Sequence, residues 1–368
     1  IRTAMERAGN MLLRIQPVFM MSPLSVARFL PPGAVTFDML VIDEASQVRP
    51  EEALGAVARA RQLVVVGDDR QLPPTDFFQK KLEGDGNGPE EDSASDIGDM
   101  ESILSLCRAR GIPAKTLLWH YRSRTPALIC VSNQKFYEDR LILPPSPWRR
   151  TPELGLFLRR VDGVYTGSGN RIEAQEIVKA VLDHAHQQHS LSLGVVAFSE
   201  KQRDLIQLEL ERVRRRDPAL QDFLLQETTE PFFVKNLENV QGDERDVIFI
   251  SVGYGPDTPG GRLSSMNFGP VNKTGGERRI NVLFTRARRR CEVFASFDPA
   301  DIDTRRTSGD GPMILRKFLE FAQQPQESQV SANSVPLDKL ETDVGDFICK
   351  LGYECDKRVG NAAFQIAW

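Results

Sequence analysis

Short β-branched apolar runs alternate with amphipathic stretches along most of the chain, the arrangement of parallel strands covered by helices. Residues 39–42, 63–66, 193–198, 247–252 and 292–296 are nearly continuous apolar runs, as strands buried on both faces require. Ser22-Pro23 precedes LSVARFL, Pro50 precedes EEALGAVARA, and a third amphipathic stretch begins near Asp99 and stops at Gly111, all of them helix boundary signals. The pattern predicts an α/β fold with parallel sheets flanked by helices.

Two stretches interrupt it. Between Glu83 and Glu101 the chain carries Asp85, Glu90, Glu91, Asp92, Asp96 and Asp99 among Gly, Ser and Pro, with no basic residue. Such a segment buries too little apolar area to offset its ordering and reads as a surface loop. Residues 322–336, AQQPQESQVSANSVP, read as a linker before a short tail. The linker sets off a tail, residues 326–368, and the 368 residues allow two or three units at roughly 150 residues each.

Composition narrows the class. The 47 Lys and Arg against 51 Asp and Glu leave a net charge of −4, with 40% hydrophobic and 27% charged residues, which excludes collagen-like and wholly disordered chains. No window holds the ~18 uninterrupted apolar residues of a spanning helix, and the opening residues lack the order of a signal peptide, so no membrane partner is expected. Cys107, Cys130, Cys291, Cys349 and Cys355 are scattered with no C-x-x-C pair. Neither a disulfide framework nor structural zinc is expected, and the compartment reads as cytoplasmic. Net acidity leaves nucleic acid open, because binding follows local cation clusters. Arg212, Arg214, Arg215 and Arg216 form one cluster, read as a solvated helix face, and Arg286, Arg288, Arg289 and Arg290 form another.

Candidate chemistry begins at FDMLVIDEASQ, where an apolar strand delivers Asp43 and Glu44 at its carboxyl end, the edge where open α/β sheets place ligands. One carboxylate there can hold Mg²⁺ through its water shell while its neighbour orients or deprotonates a water; a helix cap or solvated turn is the plain alternative. QLVVVGDDRQLPPT ends the next strand in Gly67 and Asp68, followed by Gln71, a neutral amide suited to a γ-phosphate or its water, or else a tight turn with a stiff exit at Pro73-Pro74. HYRS places Arg122 after an apolar run, and QGDERDVIFIS sets Gln241, Gly242 and Glu244 before a buried strand. On a helical wheel of ERRINVLFTRARRR, Ile280, Leu283, Phe284 and Ala287 make the buried stripe and Arg286 lies at its border, preorganised toward a cleft or simply exposed.

The order and spacing of DEASQ, GDDRQLPPT, HYRS, NVQGDERD and NVLFTRAR resemble motifs II to VI of superfamily 1 helicases, over about residues 17–299. The nearest resemblance is to the 5′ to 3′ branch with AAA-type helicase signatures. It implies two RecA-like domains, an incomplete first of about residues 1–112 and a second of about residues 113–325, meeting across a cleft that closes on ATP. It implies Asp43 as the Mg²⁺ ligand, Glu44 as the residue activating water and Gln71 as the γ-phosphate sensor. Arg122 and Arg286 become arginine fingers, Gly67 and Asp68 border the nucleotide, and Gln241, Gly242 and Glu244 meet its phosphate or ribose side. An arginine finger contributes roughly 10³ to 10⁵ in rate.

One departure matters: no G-x-x-x-x-G-K-[ST] occurs in the 368 residues, so the loop that cradles phosphates is missing. The family places it upstream and the chain begins with Ile1, which implies a fragment lacking the amino-terminal part of the same polypeptide and unable to hydrolyse ATP alone. The implied partner is single-stranded nucleic acid, with DNA expected. MSPLS offers Ser22, Pro23 and Ser25 as nucleic-acid contacts, and Pro74 and Thr75, after the second strand, are further candidates for them. Core packing competes for Met20 and Met21; Phe77, Phe78 and Trp119 could stack on bases, with the core their expected place. The tail faintly resembles the start of a restriction-endonuclease-like domain, with Glu341 at its first acidic position but Ala367 where an aspartate belongs; either the nuclease site is lost or the tail is a helical hairpin. A non-catalytic nucleic-acid scaffold and a helicase-linked nuclease subunit are the alternatives to a motor.

Overall fold

The computed structural model describes residues 2–33, 35–74, 102–144, 154–226, 228–307, 309–323, 339–352, 359–361 and 364–366. The acidic segment 83–101, the linker, Thr75, Phe77, Phe78 and Ala367 lie outside the described residues or nearly so, as does the side chain of Glu341. The chain separates into two compact units, residues 1–116 and 117–368.

In the first unit, helices α1 (Arg2–Ile15) and α2 (Pro23–Phe29) precede strand β1 (Phe37–Ile42), helix α3 (Pro50–Val57), strand β2 (Ala60–Val65) and helix α4 (Ile103–Ala109). Strands β1 and β2 pair in parallel, Phe37 opposite Ala60 and Ile42 opposite Val65. Side chains alternate across a strand. Ile42 is buried with Ala45, Ala53, Ile103 and Cys107, and Leu40, Leu63 and Val65 pack against that cluster. The opposite face is open: Met39 and Val41 are 50% and 55% exposed, and Val64 and Val66 are also exposed. The apolar runs had predicted burial on both faces. Only one face is covered among the described residues, so the runs report the sheet's apolar character without its cover.

The second unit holds helix α5 (Cys130–Phe136), strand β3 (Gly155–Arg160), helix α6 (Arg171–Gln187), strand β4 (Leu193–Ala197), helices α7 (Glu200–Arg214) and α8 (Pro218–Leu225), and strands β5 (Phe233–Asn236) and β6 (Arg245–Ser251). Helix α9 (Gly276–Phe284), strand β7 (Ala287–Ala295) and helix α10 (Gly311–Gln323) follow. The five strands form one sheet in the order β3-β7-β6-β4-β5, parallel at every pairing. Leu193, Val195, Ala197, Val247 and Phe249 join α6, α7 and α8 in one core, while Val196, Ile248 and Ile250 of the alternate face are equally buried. This sheet is covered on both sides, as its apolar runs require. Strands β3 and β5 escaped the sequence reading because they are the sheet's edges and carry Arg159, Arg160 and Lys235, and edge strands carry such charges to deter further pairing.

The wheel drawn through ERRINVLFTRARRR needs correction. Helix α9 ends at Phe284, with the Thr285 hydroxyl donating back to the Asn281 and Val282 carbonyls at 2.9 and 3.0 Å, and Ala287 already belongs to β7. The tail is also no helical hairpin: helix α11 (Lys339–Lys350) is followed by strands β8 (Val359–Asn361) and β9 (Phe364–Ile366), paired antiparallel.

A closed polar network fills the carboxyl edge of the larger sheet. Glu173, fully buried, accepts from the Ser251 hydroxyl at 2.6 Å, the Gly253 amide at 2.7 Å and the Ser296 hydroxyl at 3.2 Å. Asn170 caps α6 and donates to Ser296 at 2.7 Å, and Gln202 ties Asn170 to Ser251. Burial outweighs these bonds and pushes the Glu173 carboxyl up to about 7.

Candidate functional site

In the first unit the ends of β1 and β2 are locked together. The Val66 amide donates to the Ile42 carbonyl at 2.8 Å and the Ala45 amide to the Val66 carbonyl at 2.9 Å. Asp43 and Glu44 are exposed there, and Glu44 takes a left-handed backbone, φ 49°, as the chain turns away from the strand. Its amide donates to Asp43 Oδ1 at 2.9 Å and its carboxylate accepts from Gln47 Nε2 at 3.3 Å. Gly67 lies against this turn. A Cβ at that position would stand 3.0 Å from the Ser46 nitrogen and 3.1 Å from that of Ala45, so the absence of a side chain lets the two tips touch. Asp68 accepts from the Arg70 amide at 2.9 Å and from Gln71 Nε2 at 3.0 Å, which fixes the Gln71 amide beside it. The structure thus brings Asp43, Glu44, Gly67, Asp68 and Gln71 to one edge.

The strand-contact candidates have local roles. Ser22 caps the short helix α2, accepting from the Ser25 amide at 3.2 Å, and its hydroxyl lies 3.0 Å from that of Ser25. Pro23 is the first residue of that helix and Pro74 is half-buried. Met21 packs on the small core of Met5, Leu30 and Val35, whereas Met20 is 93% exposed.

In the second unit Arg122 sits on a tight turn. His120 Nε2 is 2.8 Å from the Ser123 hydroxyl and 3.3 Å from the Ser123 amide. Burial, then the Arg122 charge, lowers the imidazole to about 4, so it is neutral near pH 7 and accepts from that amide. Arg122 Nε lies 2.8 Å from a Glu244 oxygen. Trp119, expected in the core, is 54% exposed, because its backbone bridges to Ile142 at the margin of the unit. Gly242 turns the chain with φ +83° in open space, a conformation that favours glycine. Beside it both ends of the Gln241 amide are buried without a hydrogen-bond partner among the described residues.

Arg286 is 2% exposed and folds back on α9, Nε donating to the Val282 carbonyl at 2.8 Å and Nη2 to the Thr285 hydroxyl at 3.0 Å. The cluster around it is no free cationic patch, since Arg288 pairs with Glu230, Asp246 and Glu244 and Arg290 with Glu292. Arg212 and Arg214 of the other cluster pair with Glu209 and Glu211 along α7, as a solvated helix face would. Sequence reasoning named Arg288 only as a member of an arginine cluster. Its position in β7, two residues after Arg286, became legible only once the helix was seen to end at Phe284.

In the first unit the exposed Asp43 and Glu44 fit a metal of the kind that accompanies a nucleotide. Mg²⁺ keeps most of its waters and takes one or two carboxylates plus phosphate oxygens, which the exposed Asp43 suits; among the described residues no group of three or more His, Cys, Asp or Glu gathers as a protein cage. Buried amides are almost always paired, so the unpaired Gln241 fits a site completed by a ligand.

Two family models match the chain, each described as an AAA domain, one over residues 26–77 and one over residues 159–298. An uncharacterized ATP-dependent helicase of Mycoplasma genitalium, MG140, is 32% identical over 87% of the chain, which spans 28% of that protein. The mouse 5′-3′ DNA helicase ZGRF1 is 31% identical over 32% of the chain and 6% of its own length. The Arabidopsis thaliana DNA replication ATP-dependent helicase/nuclease JHS1 is 24% identical over 75% of the chain and 19% of its own length. With five motifs in order on parallel α/β units, both AAA matches and these relatives, the chain belongs to the superfamily 1 helicases.

Proposed function

We propose that this chain carries the water-activating and arginine-bearing part of an ATP-dependent helicase or translocase acting on single-stranded nucleic acid. The locked ends of β1 and β2 carry the reading most directly: they hold an exposed carboxylate pair beside a fixed glutamine amide. Phosphoryl transfer needs positioned charge more than covalent chemistry. Asp43 would hold Mg²⁺, Glu44 would take the proton of the attacking water, and Gln71 would sense the γ-phosphate. Arg122 and Arg286 would neutralise charge on the transferring group, with Gln241 and Gly242 bordering the nucleotide. Bound Mg²⁺ supplies charge neutralisation at the phosphates.

The phosphate-cradling loop is absent from these residues, and the chain spans 28% of its Mycoplasma relative. Hydrolysis therefore belongs to a longer polypeptide, and the chain alone is expected to be inactive. The open apolar face of β1 and β2 supports the same reading. A DNA substrate accords with ZGRF1 and JHS1 and 5′ to 3′ movement with ZGRF1, and a cytoplasmic site suits the free thiols of Cys107 and Cys291.

The test is strand-stimulated ATP hydrolysis by the longer polypeptide. Arg122→Ala is expected to slow it by roughly 10³-fold. Unchanged turnover removes Arg122 from the mechanism, and strand binding without hydrolysis in the unaltered protein makes it a scaffold.

A further inference from the structure

The carboxylate of Glu244 stands between two arginines. One oxygen lies 2.8 Å from Arg122 Nε and the other 3.5 Å from Arg288 Nη1. Arg288 is itself fixed on several sides. Its Nη1 donates to Glu230 at 2.6 Å, its Nε to Asp246 at 3.3 Å and its Nη2 to the Ser192 hydroxyl at 3.2 Å, with a further bond from Nη2 to the second Glu230 oxygen. The Arg288 carbonyl also accepts from the Arg124 amide at 2.7 Å. One residue of β7 thus holds the turn bearing Arg122 by its backbone and, through Glu244, the Arg122 side chain.

A carboxylate is a poor partner for a polyphosphate, because the two repel. It is a good partner for one edge of a guanidinium. The ion pair with Glu244 lies at Nε and leaves Arg122 the four N–H groups of its terminal amines, the fork that phosphoryl oxygens accept. We infer that Glu244 orients Arg122 rather than binding the nucleotide, and that Arg288 is the positioning residue that fixes Glu244. The inference rests on the reading of Arg122 as the arginine that meets the transferring phosphate. It replaces the nucleotide contact that the family resemblance implied for Glu244.

Two measurements test it. In the 368-residue chain without nucleotide, Arg122 should give a slowly exchanging Nε–H signal in ¹⁵N spectra, assigned by its loss in Arg122→Lys. Glu244→Ala should abolish that protection and Arg288→Lys should weaken it; persistence in Glu244→Ala overturns the inference. In the longer polypeptide, Arg288→Lys and Glu244→Ala should each lower kcat by about 10²-fold, the cost of an ångström-scale misplacement, with KM for ATP within about twofold. A raised KM with kcat retained makes Glu244 a direct nucleotide contact and overturns it. On an Arg122→Ala background Arg288→Lys should change the rate by less than about twofold, whereas additive losses mean a general structural role and also overturn it. Arg122→Ala with full turnover removes Arg122 from the mechanism on which the inference rests and leaves the spectroscopic result standing. Should Arg288→Lys misfold, Glu244→Ala, at a side chain 37% exposed, carries both measurements.

Discussion

Glu173 is the clearest case of a side chain whose surroundings set its charge. It is fully buried, three donors reach it, and burial still raises its carboxyl from 4.5 to about 7. The sign follows from linkage. Below about pH 4.5 folded and unfolded chains are both protonated and the network has its full stability. As pH rises from there toward 7 the unfolded chain gives up its proton first, so stability falls, levelling off above the folded value. Glu173→Gln, which imitates the protonated acid, should flatten that slope in urea midpoints measured from pH 4.5 to 8; a slope equal to that of the unaltered chain would show that Glu173 does not titrate in this way. The sequence hid this network, because Asn170, Glu173, Gln202, Ser251 and Ser296 come from segments up to 126 residues apart with no motif among them. Asp43, Glu44, Gln71 and Arg122 were legible because each closes or follows an apolar run. Arg286 was legible by type but not by posture: a wheel cannot show a guanidinium folded back on its own helix.

At the level of elements, the joined ends of β1 and β2 depend on Gly67. Adding a methyl group would press on backbone nitrogens 3.0 and 3.1 Å away, atoms that cannot rotate aside as a side chain can. Gly67→Ala should therefore destabilise the chain by about 1–3 kcal/mol, the usual cost of overpacking, and the shift in its urea midpoint measures this. An unchanged midpoint would mean that the tips are looser than the structure places them. The same elements show where apolar patterning suffices. The inner strands β4 and β6 were found within two residues of their ends, since both faces demand apolar side chains. The edge strands β3 and β5 carry charges and were missed, and the boundary of α9 with β7 was misplaced because buried residues continue through both.

For the whole molecule, the net charge of −4 and the ion-paired arginines argue against a broad cationic surface. Strand binding by the longer polypeptide should then rest on a few phosphate contacts. It should fall along a straight line of log affinity against log salt, with a slope of about −0.7 per contacted phosphate, and differ little between base sequences; affinity unchanged by salt would exclude phosphate contacts as its source. Fold and motif order could be read from the residues, but strand polarity and substrate came from relatives that the chain spans only in part.

The central claim is that Glu44 takes the proton of the water attacking ATP. Single-turnover hydrolysis by the longer polypeptide bearing Glu44→Gln, with ATP binding measured alongside, tests it most directly. The account predicts a loss of roughly 10² to 10⁴ in rate, the usual contribution of a general base, with ATP affinity retained. Hydrolysis at the unaltered rate would contradict it.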